Sequence, residues 1–298
     1  MSTPKVESEK HGELNCWRIT SDTAELLVAQ QGAQVLSYQR IGEPPVLWLS
    51  EQAIFKQGKS VRAGVPVCWP WFGNLKRNPE TVQALYHGEE APAHGLVRGR
   101  DWQLLGIANE GSAVRVDFTL PDTQGDLPGW PHNVELTLSI VMAEQLQITL
   151  TSYNLDNVPV TLSQALHSYF AVSDVREVQV EGVEGLGYIE TLANWEQRTQ
   201  AGTLGFAGET DRIYLQVPEQ LSIVDANWNR RIRVTSSGSR SAVIWNPWIE
   251  RAAELPDMAD DGWQRMLCIE TANVWDDVVT LAPGASHSLS LSIGSEPL

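Results

Sequence analysis

The sequence predicts an all-β fold, a large antiparallel β-sandwich, on three observations. Apolar residues recur with a period of two over long stretches, no stretch sustains a 3.6-residue period, and turn-forming clusters punctuate the alternating runs. The elements follow in order. Val114, Val116, Phe118 and Leu120 alternate with polar residues, and Pro121 to Gly125 then forms a turn cluster. Val134, Leu136, Leu138, Ile140 and Met142 repeat the alternation. After Ala143-Glu144-Gln145 it resumes at Leu146, Ile148 and Leu150, so the pair is expected to form an antiparallel hairpin. Further alternation stands at Val178-Val180, Ile232-Val234 and Leu289-Leu291-Ile293, with a turn cluster at Ser236 to Ser239. Helical signals are confined to Glu51 to Phe55 and Arg251 to Met258, each expected to make a turn or two. Alternating β/α layers are therefore not expected. The segment from Gly185 to Gly208 is glycine-rich but carries Tyr188, Trp195 and Phe206, the mark of a structured excursion. No fixed-period repeat or low-complexity linker divides the chain. One domain over residues 1–298 is expected, with roughly the first dozen residues frayed.

Composition narrows the function. A formal charge of −16 argues against nucleic acid and anionic membrane surfaces as partners. An anionic small molecule stays admissible if a few arginines make its pocket locally positive. The three cysteines, Cys16, Cys68 and Cys268, form no CxxC pair, so no zinc or disulfide framework is implied. Met1 to Leu14 is polar, without the apolar core of a signal peptide, and no apolar run nears the ~20 residues of a membrane span. A cytoplasmic monomer is the expectation. Twelve tryptophans suit either core filling or stacking on sugar C–H faces.

Four segments set polar chemistry among apolar or glycine-punctuated residues. In Arg62 to Gly73, two glycines and two prolines stiffen the chain behind Arg62. In Ala93 to Arg100, His94 and Arg98 stand four residues apart between glycines. Arginines on stiff loops suit bidentate capture of a carboxylate or phosphate, or ordinary ion pairs with the many acids. In Leu162 to Phe170, alternation puts Ser163, Ala165, His167 and Tyr169 on one face, as in a pocket wall; a satisfied core histidine would look the same. Glu270 lies in the apolar run Met266 to Thr271. A buried carboxylate needs a partner, ordinarily an arginine. An imidazole and a carboxyl group set in apolar strands are also a natural acid and base if the fold unites them. Asp211, in Glu209 to Tyr214, suits a sugar hydroxyl or a strand end. Asp257, Asp260 and Asp261 form an acidic turn expected to be solvated. No phosphate-cradling glycine loop, HExxH or GxSxG elbow is present.

Together these segments resemble the aldose 1-epimerase superfamily, and within it the hexose-6-phosphate mutarotases (glucose-6-phosphate 1-epimerases). The stretches stand in family order over about residues 60 to 275: RAGVPVCWPWFG from Arg62, AHGLVR from Ala93, ALHSYFAVSD from Ala165, ETDRIY from Glu209, VIWNPW from Val243 and MLCIETANV from Met266. The resemblance implies a galactose-mutarotase-like β-supersandwich that interconverts the α and β anomers of a hexose 6-phosphate without metal or cofactor. It implies His167 as general acid, Glu270 as general base, Arg62 and Arg98 as phosphate ligands and Asp211 as a ligand to a ring hydroxyl. His94 belongs to the same substrate pocket. It further implies that His167 starts protonated and Glu270 ionised. Ala93 departs from the family, where glutamine often precedes the HG pair, and Tyr188-Ile189-Glu190-Thr191 departs where relatives carry Asp then Lys. Both departures bear on which sugar is bound. A mutarotase for unphosphorylated aldoses, with the arginines in ion pairs, and a non-catalytic carbohydrate-binding module are the alternatives.

Overall fold

The computed structural model describes residues 4–298. Among them, two eight-stranded antiparallel sheets carry the architecture. One runs, edge to edge, through Val178–Glu181, Gln220–Asp225, Arg230–Ser237, Ser286–Pro297, Leu146–Asn154, Val134–Met142, Ala113–Leu120 and Gln103–Glu110. The other runs through Glu196–Thr199, Gly187–Glu190, Thr210–Leu215, Ser241–Asn246, Met266–Asn273, Gln164–Leu166 and Val67–Cys68, with Tyr169–Ala171 also paired to Met266–Asn273. A four-stranded sheet spans residues 5–40, and Val160–Leu162 pairs with Val279–Leu281.

The period-two pattern explains the layering. Phe118, Leu138, Ile148 and Leu291 from the first large sheet share one core cluster with Leu166, Phe170, Ile244, Leu267 and Ile269 from the second. Their inner faces therefore pack as a sandwich. The opposite face of the second sheet carries a smaller apolar set, Cys68, Ala165, Ile189, Ile213, Val243 and Ala272. On this outer face the candidate residues gather.

The predicted hairpin forms as expected, with Met142 opposite Leu146, and the Gly185–Gly208 excursion contains a hairpin of Gly187–Glu190 with Glu196–Thr199. Three expectations need correction. The first dozen residues are not frayed as a block: Lys5–His11 pairs along its length with Leu14–Thr20. Gly12 supplies the left-handed turn at φ 55°, and the buried Leu14, Cys16 and Ile19 anchor the partner strand. Residues 1–3 lie outside the described residues. Glu51 to Phe55 makes no helix; a single turn closes from the Ala53 amide to the Ser50 carbonyl. The helix expected at Arg251 to Met258 lies earlier, at Trp248–Ala253. Pro247 suits its start, and Pro256 has no amide hydrogen with which to extend it.

Gly64 links this fold to the site. It adopts φ 50°, and a Cβ there would collide with the Val35 carbonyl oxygen. Its own carbonyl accepts the Tyr169 amide at 2.8 Å. Gly64→Ala is expected to destabilise the protein by about 2–4 kcal/mol, read as a lower urea midpoint with an unchanged slope; a midpoint equal to that of the parent would contradict this packing.

Candidate active site

Strand Met266–Asn273 organises the site. Leu166 pairs with Thr271 and Tyr169 pairs with Cys268. The two pairs keep a common register across the break between Gln164–Leu166 and Tyr169–Ala171, and that register sets His167 opposite Glu270. On the other side of the strand, Val243 stands opposite Glu270 and Trp245 opposite Cys268. Directly opposed residues share a face, so His167, Tyr169, Val243, Trp245 and Glu270 all point to the outer face. There they line a cavity of about 510 Å³. Within the break, the backbone is satisfied elsewhere: the His167 amide donates to Pro66 at 2.9 Å.

His167 Nε2 lies 3.5 Å from Glu270 Oε1. The residues are 7% and 1% exposed. The His167 ring stacks on Tyr169 at 4.8 Å between centroids and lies 5.3 Å from the ring of His94. His167 Nδ1 and Glu270 Oε2 have no hydrogen-bond partner. Buried polar atoms are nearly always paired, so these two orphans leave polar capacity unmet in residues that line the cavity.

Burial dominates the electrostatics. It pushes the Glu270 carboxyl well above its ordinary range; the charge of Asp211 adds to this, and Arg98 opposes it. It pushes His167 well below its ordinary range, reinforced by His94, Arg98 and Arg62. Burial thus favours neutral imidazole and protonated carboxyl in the ligand-free pair, whereas the expected imidazolium and carboxylate belong to the start of the reaction with substrate bound. The proton count is the same in both forms, and one transfer over the short gap interconverts them.

The other sequence-predicted residues all reach this cavity. Asp211 sits opposite Trp245. Burial, outweighing a hydrogen bond from Thr191, raises its carboxyl to about 6. His94 has a left-handed backbone at φ 62°, and its Nδ1 accepts the Gly73 amide at 3.3 Å, which places the ring proton on Nε2. Burial, then Arg98 and Arg62, lower it to about 3, so it stays neutral. Arg98 donates Nη2 to the Ala93 carbonyl at 2.7 Å. Arg62 is already engaged: its Nε lies 2.7 Å from Asp257 Oδ1 and its Nη1 donates to the Tyr169 hydroxyl at 3.2 Å. Asp257 thus departs from the solvated turn expected for it, because the segment after Pro256 folds back over Arg62. The sequence reading missed Arg77, Trp195 and Trp275, which also line the cavity; no pattern around them signals a pocket.

Donor atoms of His167, Cys268 and Glu270 come within 4.8 Å of one another. They suit a metal poorly. Burial and the nearby Glu270 hold the Cys268 thiol protonated, and Arg62 and Arg98 already supply positive charge there. Among the described residues, no helix is long and apolar enough to cross a membrane.

A family model described as Aldose 1-epimerase matches residues 15–294. The chain belongs to the aldose 1-epimerase family. Among its relatives, a protein of Cenchrus ciliaris named "Putative glucose-6-phosphate 1-epimerase" is 33% identical over 276 residues, covering 89% of this chain and 80% of that protein. One of the same name from Escherichia coli (strain K12) is 33% identical over 272 residues, covering 91% and 87%. The crystal structure of a mutarotase-titled protein, YeaD from Salmonella typhimurium, superposes with a TM-score of 0.88 at 28% identity, covering 98% of this chain and 94% of that one. A galactose mutarotase-like protein from Clostridium acetobutylicum, 16% identical, shares the fold with a TM-score of 0.75 and coverage of 99% of both chains. The galactose-mutarotase-like sandwich is therefore the fold, and an epimerase of the isomerase class is the activity. The non-catalytic binding module is set aside.

The raised Glu270 carboxyl has a stability consequence for this aldose 1-epimerase. The folded state holds a proton that the unfolded chain releases above its ordinary value of 4.5, so stability falls as pH rises beyond that point. Glu270→Gln removes this loss. The variant is expected to unfold at higher urea than the parent at about pH 8, the advantage vanishing near pH 4; a variant less stable at pH 8 would contradict the burial argument.

Proposed function

We propose that the protein is a hexose-6-phosphate mutarotase working through His167 and Glu270. The observation that carries this reading is the registered pair, 3.5 Å apart, on the floor of a cavity large enough for a sugar. The phosphate is supported by the names of the relatives at 33% identity and by Arg98, which has no acid partner among the described residues. Arg62, paired with Asp257, favours the second reading, a mutarotase for unphosphorylated aldoses.

In the proposed mechanism, the substrate enters the cavity beside the pair. Hydrogen bonds from its hydroxyls to the Glu270 carboxyl favour the ionised form, and the proton passes to His167. Glu270 then takes the proton from the O1 hydroxyl while His167 Nε2 protonates the ring oxygen. The C1–O5 bond breaks and an aldehyde forms at C1. The pair is now neutral again, the form that burial favours, so the dry floor stabilises the open-chain stage. Rotation about C1–C2 turns the other carbonyl face toward the C5 hydroxyl. On closure, that hydroxyl returns its proton to His167 and O1 recovers one from Glu270. Neutral His94 donates from Nε2 to a substrate oxygen, Asp211 accepts from a ring hydroxyl, and Arg98 meets the phosphate.

Anomer exchange of glucose 6-phosphate, followed by exchange NMR with a chelator present, tests the reading. The protein is expected to accelerate exchange above the buffer rate. His167→Ala and Glu270→Gln should each lose ~10²–10⁴-fold while keeping the parent's circular dichroism. Exchange no faster than in buffer, or either variant turning over near the parent rate, would contradict it.

A further inference from the structure

We infer that Arg77, not Arg62, joins Arg98 in gripping the phosphate, with Trp195 and Trp275 as its mount. The inference rests on the phosphate reading above and names the residues that enforce it. Four arginines line the cavity: Arg62, Arg77, Arg98 and Arg251. Two have their charge taken up by acids, Arg62 by Asp257 at 2.7 Å and Arg251 by Glu254 at 2.6 Å. Arg77 and Arg98 make no ion pair among the described residues. In a chain of net charge −16, a dianion is repelled by the global field, and only uncompensated cations at the cavity reverse that locally.

The two free guanidiniums differ in depth. Arg98 is half-buried, and its charge is felt at Glu270, His167 and His94. Arg77 perturbs none of these groups and is exposed, at the rim. Its backbone is nevertheless held. It closes a short 3-10 turn, Leu75–Arg77, capped by the Asn74 side chain and rooted by buried Leu75. Asn78 Nδ2 donates to the Phe72 and Asn74 carbonyls at 2.8 and 3.0 Å. The same segment is tied to the loop of Arg98, since the His94 amide donates to Gly73 at 2.8 Å and the Gly73 amide to His94 Nδ1 at 3.3 Å.

The side chain is held as well. The Arg77 guanidinium lies 5.1 Å from the Trp195 ring centroid, and Trp195 stacks on Trp275 at 5.7 Å and 16°. Both tryptophans have left-handed backbones, φ 62° and 59°, a conformation unusual for bulky residues. Stacked on an indole, a guanidinium keeps its edge N–H groups free to bind two phosphate oxygens side by side. A sugar with C1 and O5 at the floor would thus meet Arg98 first, with Arg77 closing over its phosphate from the mouth.

The test compares kinetics on α-glucose 6-phosphate and α-glucose for the parent, Arg77→Ala, Arg77→Lys and Arg62→Ala, with calorimetric binding of inorganic phosphate alongside. Arg77→Ala is expected to raise KM for the phosphorylated sugar by ~10–100-fold with kcat within about twofold, and to leave the kinetics on glucose unchanged. It should weaken inorganic phosphate by a similar factor, with Arg77→Lys intermediate. Arg62→Ala should affect both sugars alike. In a parent enzyme that prefers the phosphorylated sugar, an unchanged preference in Arg77→Ala would overturn the assignment while leaving the phosphate reading intact. A parent enzyme without that preference would overturn the phosphate reading, and the role of Arg77 with it.

Discussion

The site depends on one constraint, the unbroken register by which strand Met266–Asn273 pairs with two short strands at once. Thr271 meets Leu166 and Cys268 meets Tyr169, so nothing between them can slip. A one-residue shift would turn Glu270 into the sandwich core and bring Ile269 out to the cavity. The apolar inner-face residues Leu267 and Ile269 make that shift prohibitive. The same packing that stabilises the fold therefore holds a carboxyl group and an imidazole face to face.

Burial gives that pairing its chemical character. Desolvation favours the neutral form of both partners, although separated charge is available by moving one proton. Mutarotation asks for this property: a proton leaves O1 and another arrives at O5 within one event, with no net change at the pair. A solvated pair would hold its charges apart and exchange them with bulk water instead. Asp211, whose carboxyl is raised to about 6, belongs to the same economy of charge, since its ionisation lifts the Glu270 carboxyl further.

Much of this was legible in the sequence. The alternation from Val134 to Leu150 specified its hairpin, and the alternation around His167 correctly put Tyr169 beside it and Leu166 and Phe170 behind it. His167 and Glu270 stood out because each interrupts an apolar run, and the six motif stretches indicated the family. Other features were hidden for physical reasons. The partner of Arg62 is Asp257, almost two hundred positions along the chain, and no local pattern records a contact of that range. Arg77 and Trp195 meet only because two irregular loops fold over one cavity mouth, where neither period applies. The protonation preference of the ligand-free pair was hidden because it depends on the desolvation that three-dimensional burial imposes. Lys5–His11 was expected to fray because an exposed, charged strand has no apolar signature; its stability comes from its neighbour.

The central claim, that a dry floor keeps the catalytic pair neutral until substrate arrives, is tested most directly by ¹⁵N NMR of histidine-labelled protein, with His167 assigned by substitution. Without ligand, the His167 ring nitrogens should report neutral imidazole at about pH 6 and remain so on further acidification, well past the ordinary histidine value of 6.5. An imidazolium signature for His167 at or above that value in the empty pocket would contradict the account.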